Sequence, residues 1–228
     1  MQKPIQYLDD IQHPHDANAY WVFLFHGFGA DASDLKNLSE VLTPPGQKIN
    51  WIFPNGIFTV PIGAMMTGRA WWPLTLSQLP TDWSLYSPPE LAQLMPAIWK
   101  MIDSFKIPWN KIILGGFSQG SMLATEIYLS APQTPAGLIS FSGALIRKND
   151  WTNGLAIRKK QATDSGQILK AFFSHGEMDQ VLPSSGTQKL IQMFKSHGYQ
   201  CDFSSFRGGH EIPMPAIAKA QAYIYSLR

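Results

Sequence analysis

The chain has 228 residues, of which 45% are hydrophobic and 15% charged, and its formal net charge is +2. These are the proportions of an ordinary globular protein, with room for one large domain or two small ones. They exclude a nucleic-acid binder built on an extended basic surface, since the densest basic patch is Arg158-Lys159-Lys160, read as a solvated turn. They also exclude a membrane-spanning helix, because no apolar run reaches ~18 residues.

In chain order, a weak strand, IQYLDD (5–10), is placed at an N-terminal sheet edge. Short apolar runs bounded by turn residues then read as buried strands: YWVFLF (20–25), INWIF (49–53), KIILG (111–115), AGLISFS (136–142), KAFFS (170–174) and CDFSSF (201–206). Their continuous apolar character, without alternation, predicts a parallel sheet covered on both faces. Helical spacing fills the gaps. Ser33 or Asp34 is expected to cap a helix running to Val41. The stretch PPELAQLMPAIWKMIDSF predicts a second helix, which Pro96 either kinks or begins. Others follow Ser118, cover roughly 185–197 and close the chain at 214–227. Alternating strands and helices predict an α/β fold with right-handed crossovers, in one domain over 1–228. Two stretches break the rhythm and are expected as loops: 54–87, rich in Trp, Met, Gly and Pro, and the polar insertion 144–168.

The chemistry is read from the loops. Gly116-Phe117-Ser118-Gln119-Gly120 matches G-x-S-x-G between a predicted strand and a predicted helix, the setting that lifts a serine hydroxyl above a sheet. Gly116 and Gly120 would let two backbones pass closely there. A serine hydroxyl needs a base. His210, in FRGGHEIP after the last strand, is the candidate. His13, His15 and His197 lie in surface segments, and His26 and His175 are expected to be structural hydrogen-bonders. The base needs an acid. HGEMDQVLP offers Asp179, anchored by Val181-Leu182-Pro183, with Glu177 as the alternative. Two backbone N–H groups are the candidate oxyanion donors: that of Gln119, directly after the serine, and that of Phe28 in HGFGAD. Met65, Met66, Trp71, Trp72 and Trp83, with Leu74, Leu76 and Leu79, either line an acyl groove or plug the core beneath the long loop. No metal and no cofactor are expected, since no H-E-x-x-H and no phosphate-binding glycine loop appear.

The segments FLFHGFGAD, PNGIF, GRAWWPL, IILGGFSQGSM, SHGEMDQVLP and GGHEIP, in that order, resemble the phospholipase/carboxylesterase branch of the α/β hydrolases. The resemblance implies an α/β-hydrolase fold, a mostly parallel central sheet with helices on both faces. It implies a serine hydrolase of carboxylic esters or thioesters, with lysophospholipase or a silent binding protein on the same scaffold as the alternatives. It places Ser118, Asp179 and His210 in the triad, Phe28 and Gln119 at the oxyanion hole, and Trp71 and Trp72 at the substrate, where Met65, Met66 and Leu182 are also expected. Phe28 stands where leucine is frequent in the family, and Pro73 where aspartate is. The expected partner is a small or lipid-like acyl ester or thioester, including an acylated protein, and a homodimer fits exposed aromatic loops. Cys201 is the only cysteine and is read as structural. A lone thiol and a start without a signal-peptide core fit a cytoplasmic protein without stable membrane insertion.

Overall fold

The computed structural model describes residues 4–63, 65–74, 80 and 82–227. Its strands are β1 (Tyr7–Asp10), β2 (Tyr20–Phe25), β3 (Ile49–Pro54), β4 (Phe58–Pro61), β5 (Thr67–Ala70), β6 (Ile112–Phe117), β7 (Gly137–Phe141), β8 (Lys170–Gly176) and β9 (Gln200–Phe206). Its helices are α1 (Ala32–Lys36), α2 (Leu38–Leu42), α3 (Leu91–Ser104), α4 (Gln119–Ser130), α5 (Lys148–Ser165), α6 (Ser184–Ser196) and α7 (Met214–Tyr225).

Seven strands form one sheet in the order β1-β3-β2-β6-β7-β8-β9. All pairings are parallel except β1 against β3, where Tyr7 faces Pro54 and Asp10 faces Trp51. Successive side chains of a strand point to opposite faces. Phe23, Phe25, Leu114 and Phe173 enter one core with Leu94 and Ile98 of α3, Leu123 and Ile127 of α4, Trp151 of α5 and Phe194 of α6. Val22, Leu24, Ile113, Ile139 and Phe172 enter the other, with Leu35 of α1, Leu42 of α2 and Ile217 and Ile224 of α7. Both faces are therefore dry, which is why the central strands read as unbroken apolar runs. Full burial of each such side chain contributes roughly 1.5–3 kcal/mol. Edge strand β9 is mostly exposed; Cys201 there is half-buried, and burial pushes its thiol up to about 12, which suits a structural thiol.

Several local expectations are corrected. The first helix is capped by Asp31, whose Oδ1 accepts from the Ser33 N–H at 2.8 Å, and not by Ser33 or Asp34; it breaks at Asn37 into two short segments. Residues 144–168 are not a loop, since α5 occupies most of them. Its inward residues are Trp151, Gly154, Leu155, Arg158 and Ala162. The helical spacing is present, but glycine and arginine occupy core-facing positions, so few large apolar residues announce it. Arg158 consequently lies buried within a helix, donating to the Ala131 carbonyl, and the basic triplet is not a solvated turn. The loop 54–87 contains the hairpin β4-β5, with Phe58 opposite Ala70 and Pro61 opposite Thr67. Pro96 falls inside α3 and does not begin it.

Two backbones cross closely at Gly120. A Cβ there would stand 2.0 Å from the Phe25 carbonyl oxygen, and one at Gly116 would stand 2.3 Å from the Gly120 carbonyl carbon. Neither neighbour is a movable side chain. Gly120→Ala is expected to cost roughly 3 kcal/mol or more, the upper end for overpacking. Chemical denaturation should show it as a lowered midpoint or as failure to obtain folded protein.

Candidate active site

The sheet's connections diverge between β2 and β6. The chain leaves β2 toward β3 on one side and leaves β6 toward β7 on the other, the place where open α/β sheets bind ligands beyond their carboxyl ends. Every predicted chemical residue comes from a loop at that edge. Ser118 occupies the β6–α4 turn at φ 55°, ψ −119°, a strained conformation for a residue with a side chain. Its N–H donates to the Phe141 carbonyl at 2.9 Å, and its own carbonyl accepts from Ser121 and Met122 at 3.0 and 3.2 Å. The turn is thus held from both sides, with the N-terminus of α4 behind the hydroxyl.

The loop after β8 supplies Asp179, whose side chain is fully buried. Its Oδ1 accepts the N–H groups of Val181 (2.8 Å) and Leu182 (2.9 Å). Its Oδ2 lies 2.6 Å from His210 Nδ1 and 3.2 Å from His175 Nε2. Burial pushes the carboxyl up, but the Leu182 N–H and His210 outweigh it and hold Asp179 below the usual carboxylate range. The alternative, Glu177, is exposed and accepts from Ser205 Oγ at 2.9 Å on the β9 side. Asp179 is therefore the carboxylate beside His210. The His210 imidazole is partly exposed and packs on the Phe117 ring at 4.7 Å. Ser118 Oγ makes no hydrogen bond among the described residues, and Ser118 and His210 line one cavity. In unliganded hydrolases the nucleophile–base bond is often long and tightens with substrate.

His26 and His175 are fully buried. His26 Nε2 accepts the Gly56 N–H at 2.9 Å, so its Nδ1–H donates to the Gly27 carbonyl at 2.7 Å. Burial lowers both imidazoles from the ordinary 6.5. In the unfolded chain they would take up protons near that value; in the fold they resist. The stability that this difference supplies is present above about pH 6.5 and is lost as pH falls through the folded values. The melting temperature should therefore drop on acidification from about pH 6.5 to pH 5. A flat profile over that window would show that neither histidine is held neutral.

The loop after β2 carries Phe28. Among the described residues neither the Phe28 nor the Gln119 N–H has a hydrogen-bond partner, and both residues line the cavity with Ser118. The Phe28 loop is braced by the hairpin: Gly29 N–H donates to Arg69 O and Arg69 N–H to Ala30 O, each at 2.8 Å. Asn55 Oδ1 accepts the Ala32 N–H at 2.8 Å, and Trp71 Nε1 donates to the His26 carbonyl at 2.8 Å. Gln119 has a second task. Its side chain accepts the Trp71 N–H at 2.9 Å and donates to the Trp72 carbonyl at 2.8 Å, pinning the long loop to the nucleophile turn.

These bonds correct the reading of the tryptophans and methionines. Trp71 and Trp72 are fully buried in the core instead of lining the cavity, and Trp71 packs on His26 behind the Phe28 loop. Met65 and Met66 are 97% and 64% exposed at the hairpin tip, outside the cavity wall. Leu76 and Leu79 lie outside the described residues. Leu182, Leu74 and Trp83 do line the cavity, with Met122 and Val181. Its volume is about 600 Å³, within the range of small-molecule sites. A larger cavity of about 840 Å³ opens at the opposite end of the strands, beside Tyr20, Asn110, Gln161 and Lys170, and none of the predicted chemical residues reaches it.

A doubly covered, mostly parallel sheet with a serine on a strained strand–helix turn, lining one cavity with a histidine bonded to a buried aspartate, is the arrangement of the α/β hydrolases as a class. The chain belongs to the phospholipase/carboxylesterase family, whose model matches residues 8–228. It is 29% identical over 220 residues to acyl-protein thioesterase 1 of Eremothecium gossypii, covering 90% of this chain and 86% of that protein. Among solved structures it resembles esterase PE8 (TM-score 0.80, 21% identity, 99% of this chain and 100% of the other). It also resembles Zea mays acyl-protein thioesterase 2 (TM-score 0.72, 18% identity, 97% and 98%).

Proposed function

We propose that Ser118, His210 and Asp179 form a catalytic triad in a single hydrolase domain spanning the chain. The protein is a carboxylic-ester or thioester hydrolase, as its family and its acyl-protein thioesterase relatives support. His210 Nε2 takes the Ser118 proton as Oγ attacks the acyl carbonyl, while Asp179 holds Nδ1–H and stabilises the imidazolium. The Phe28 and Gln119 N–H groups receive the oxyanion. The imidazolium then protonates the departing alkoxide or thiolate. Water, deprotonated by the same nitrogen, attacks the acyl-serine and releases the acid.

The observation that carries this reading is the 2.6 Å Asp179–His210 bond at the rim of a cavity that Ser118, Phe28 and Gln119 also line. Leu74, Trp83, Met122 and Leu182 give the acyl group an apolar wall, and among the described residues no helix is long and apolar enough to cross a membrane. The substrates that fit are acyl thioesters on proteins and small apolar esters, processed in the cytoplasm. A fluorophosphonate probe tests the assignment. Labelling of Ser118 in the folded protein, lost on heat denaturation, is expected; labelling elsewhere, or none, would overturn it. A panel of oxygen esters and thioesters of graded chain length then fixes the preferred substrate.

A further inference from the structure

The Asp179 carboxylate has a second imidazole, and the mechanism above does not use it. His175 is the sixth residue of β8, fully buried, with Nε2 2.8 Å from the Leu182 carbonyl and 3.2 Å from Asp179 Oδ2. Both of these partners can only accept, so Nε2 must carry the hydrogen. Nδ1 is 2.7 Å from Thr187 Oγ1 in the first turn of α6; on a neutral ring protonated at Nε2 it accepts from that hydroxyl, whose oxygen also lies 2.6 Å from the Gly143 carbonyl oxygen. One ring therefore joins the Asp179 loop, the cavity-lining Leu182, the start of α6 and the exit of β7.

We infer that His175 is a positioning residue for hydrolysis: its Nε2–H shares Asp179 Oδ2 with His210 and fixes the direction and strength of the Asp179–His210 bond. The inference rests on the proposed triad. Three N–H groups hydrogen-bond this carboxylate, Val181 and Leu182 on Oδ1 and His210 on Oδ2, and His175 Nε2 stands 3.2 Å from Oδ2. The charged or titratable groups that reach His175 are Asp179 and His210, while α6 presents the neutral Thr187. Carboxylate charge spent on His175 is not available to the imidazolium of His210. Removing the second donor leaves Asp179 free to hold that imidazolium more tightly and to rotate.

The test compares His175→Phe, which keeps a ring and loses both nitrogens, with His175→Gln, whose side-chain NH₂ can reach Asp179 and Leu182. Rates are normalised to the fraction of protein that a fluorophosphonate titrates. For His175→Phe, kcat is expected to fall about 10- to 100-fold, the loss typical of a hydrogen bond to a charged group, with KM changing less. The acid limb of kcat/KM should move to higher pH, and His175→Gln should restore most of both effects. A merely structural His175 would lower the titratable fraction and leave the acid limb in place, and that result overturns the inference. The unmodified protein gives an answer even if the variants do not fold. Two-dimensional ¹⁵N NMR of the imidazoles should show His175 protonated at Nε2, and an Nδ1–H tautomer would refute the donation to Asp179. Neither outcome depends on which serine the probe labels, so failure here is distinguishable from failure of the triad.

Discussion

Replacing Ser118 by alanine is expected to lower kcat on a p-nitrophenyl ester by about 10⁶-fold, the loss seen when the nucleophile of a serine triad is removed. Thermal stability should stay within about 0.5 kcal/mol of the parent, as for a substitution that removes no cap, network or packing. The two expectations follow from different facts. The proposed chemistry needs Oγ as the attacking atom, and among the described residues that line the cavity no other carries a hydroxyl. The fold does not need it: Oγ has no hydrogen-bond partner among the described residues, and the backbone bonds that hold the turn run through the Ser118 N–H and carbonyl. Alanine also meets φ 55° with a Cβ like serine's, so the strain already present is unchanged. Steady-state kinetics beside a thermal melt separates the terms. Retained turnover with an unchanged melt would mean that another residue attacks the substrate.

Sequence legibility followed how locally each feature is written. The central strands could be read because burial on both faces removes every polar position from a short segment, a property of consecutive residues. The proposed triad is written as locally, since each member follows a strand inside a short motif and the parallel sheet gathers those strand ends at one edge. Helix α5 escaped because its inward stripe includes Gly154, packed against Leu129, and Arg158. Neither signals burial when read alone. The bracing of the oxyanion loop escaped for another reason. His26, Asn55 and the Gln119 side chain bond to backbone atoms 23 to 48 residues away, and a backbone partner leaves no trace in side-chain spacing. The tryptophans illustrate the cost. The family resemblance places Trp71 and Trp72 at the substrate. In the structure this stretch instead braces Gly29 and Ala30 through Arg69, and His26 through Trp71.

Asp179→Asn is expected to lower kcat about 10⁴-fold, as the same change does in a serine protease, with KM affected far less. The donors around the carboxylate show why the amide cannot substitute. Val181 and Leu182 present fixed backbone N–H groups to Oδ1, so the amide oxygen must stay on that side. Its NH₂ then faces His210 and His175. His210 can meet a donor only by turning its Nδ1 into an acceptor, which moves its proton to Nε2, the atom that must take the proton of Ser118. The base is thereby blocked at the pH where the parent works. His175 cannot make the same adjustment without leaving the Leu182 carbonyl unpaired, so the substitution strains a second buried bond. Stability responds in the same direction. Because Asp179 is held below the usual carboxylate range, its contribution is present above about pH 4 and is lost as pH falls through its folded value. The melting temperature of Asp179→Asn should lie below the parent's at neutral pH, and the two should converge in acid. Near-parental turnover in the variant would remove Asp179 from the reaction and reopen the case for Glu177.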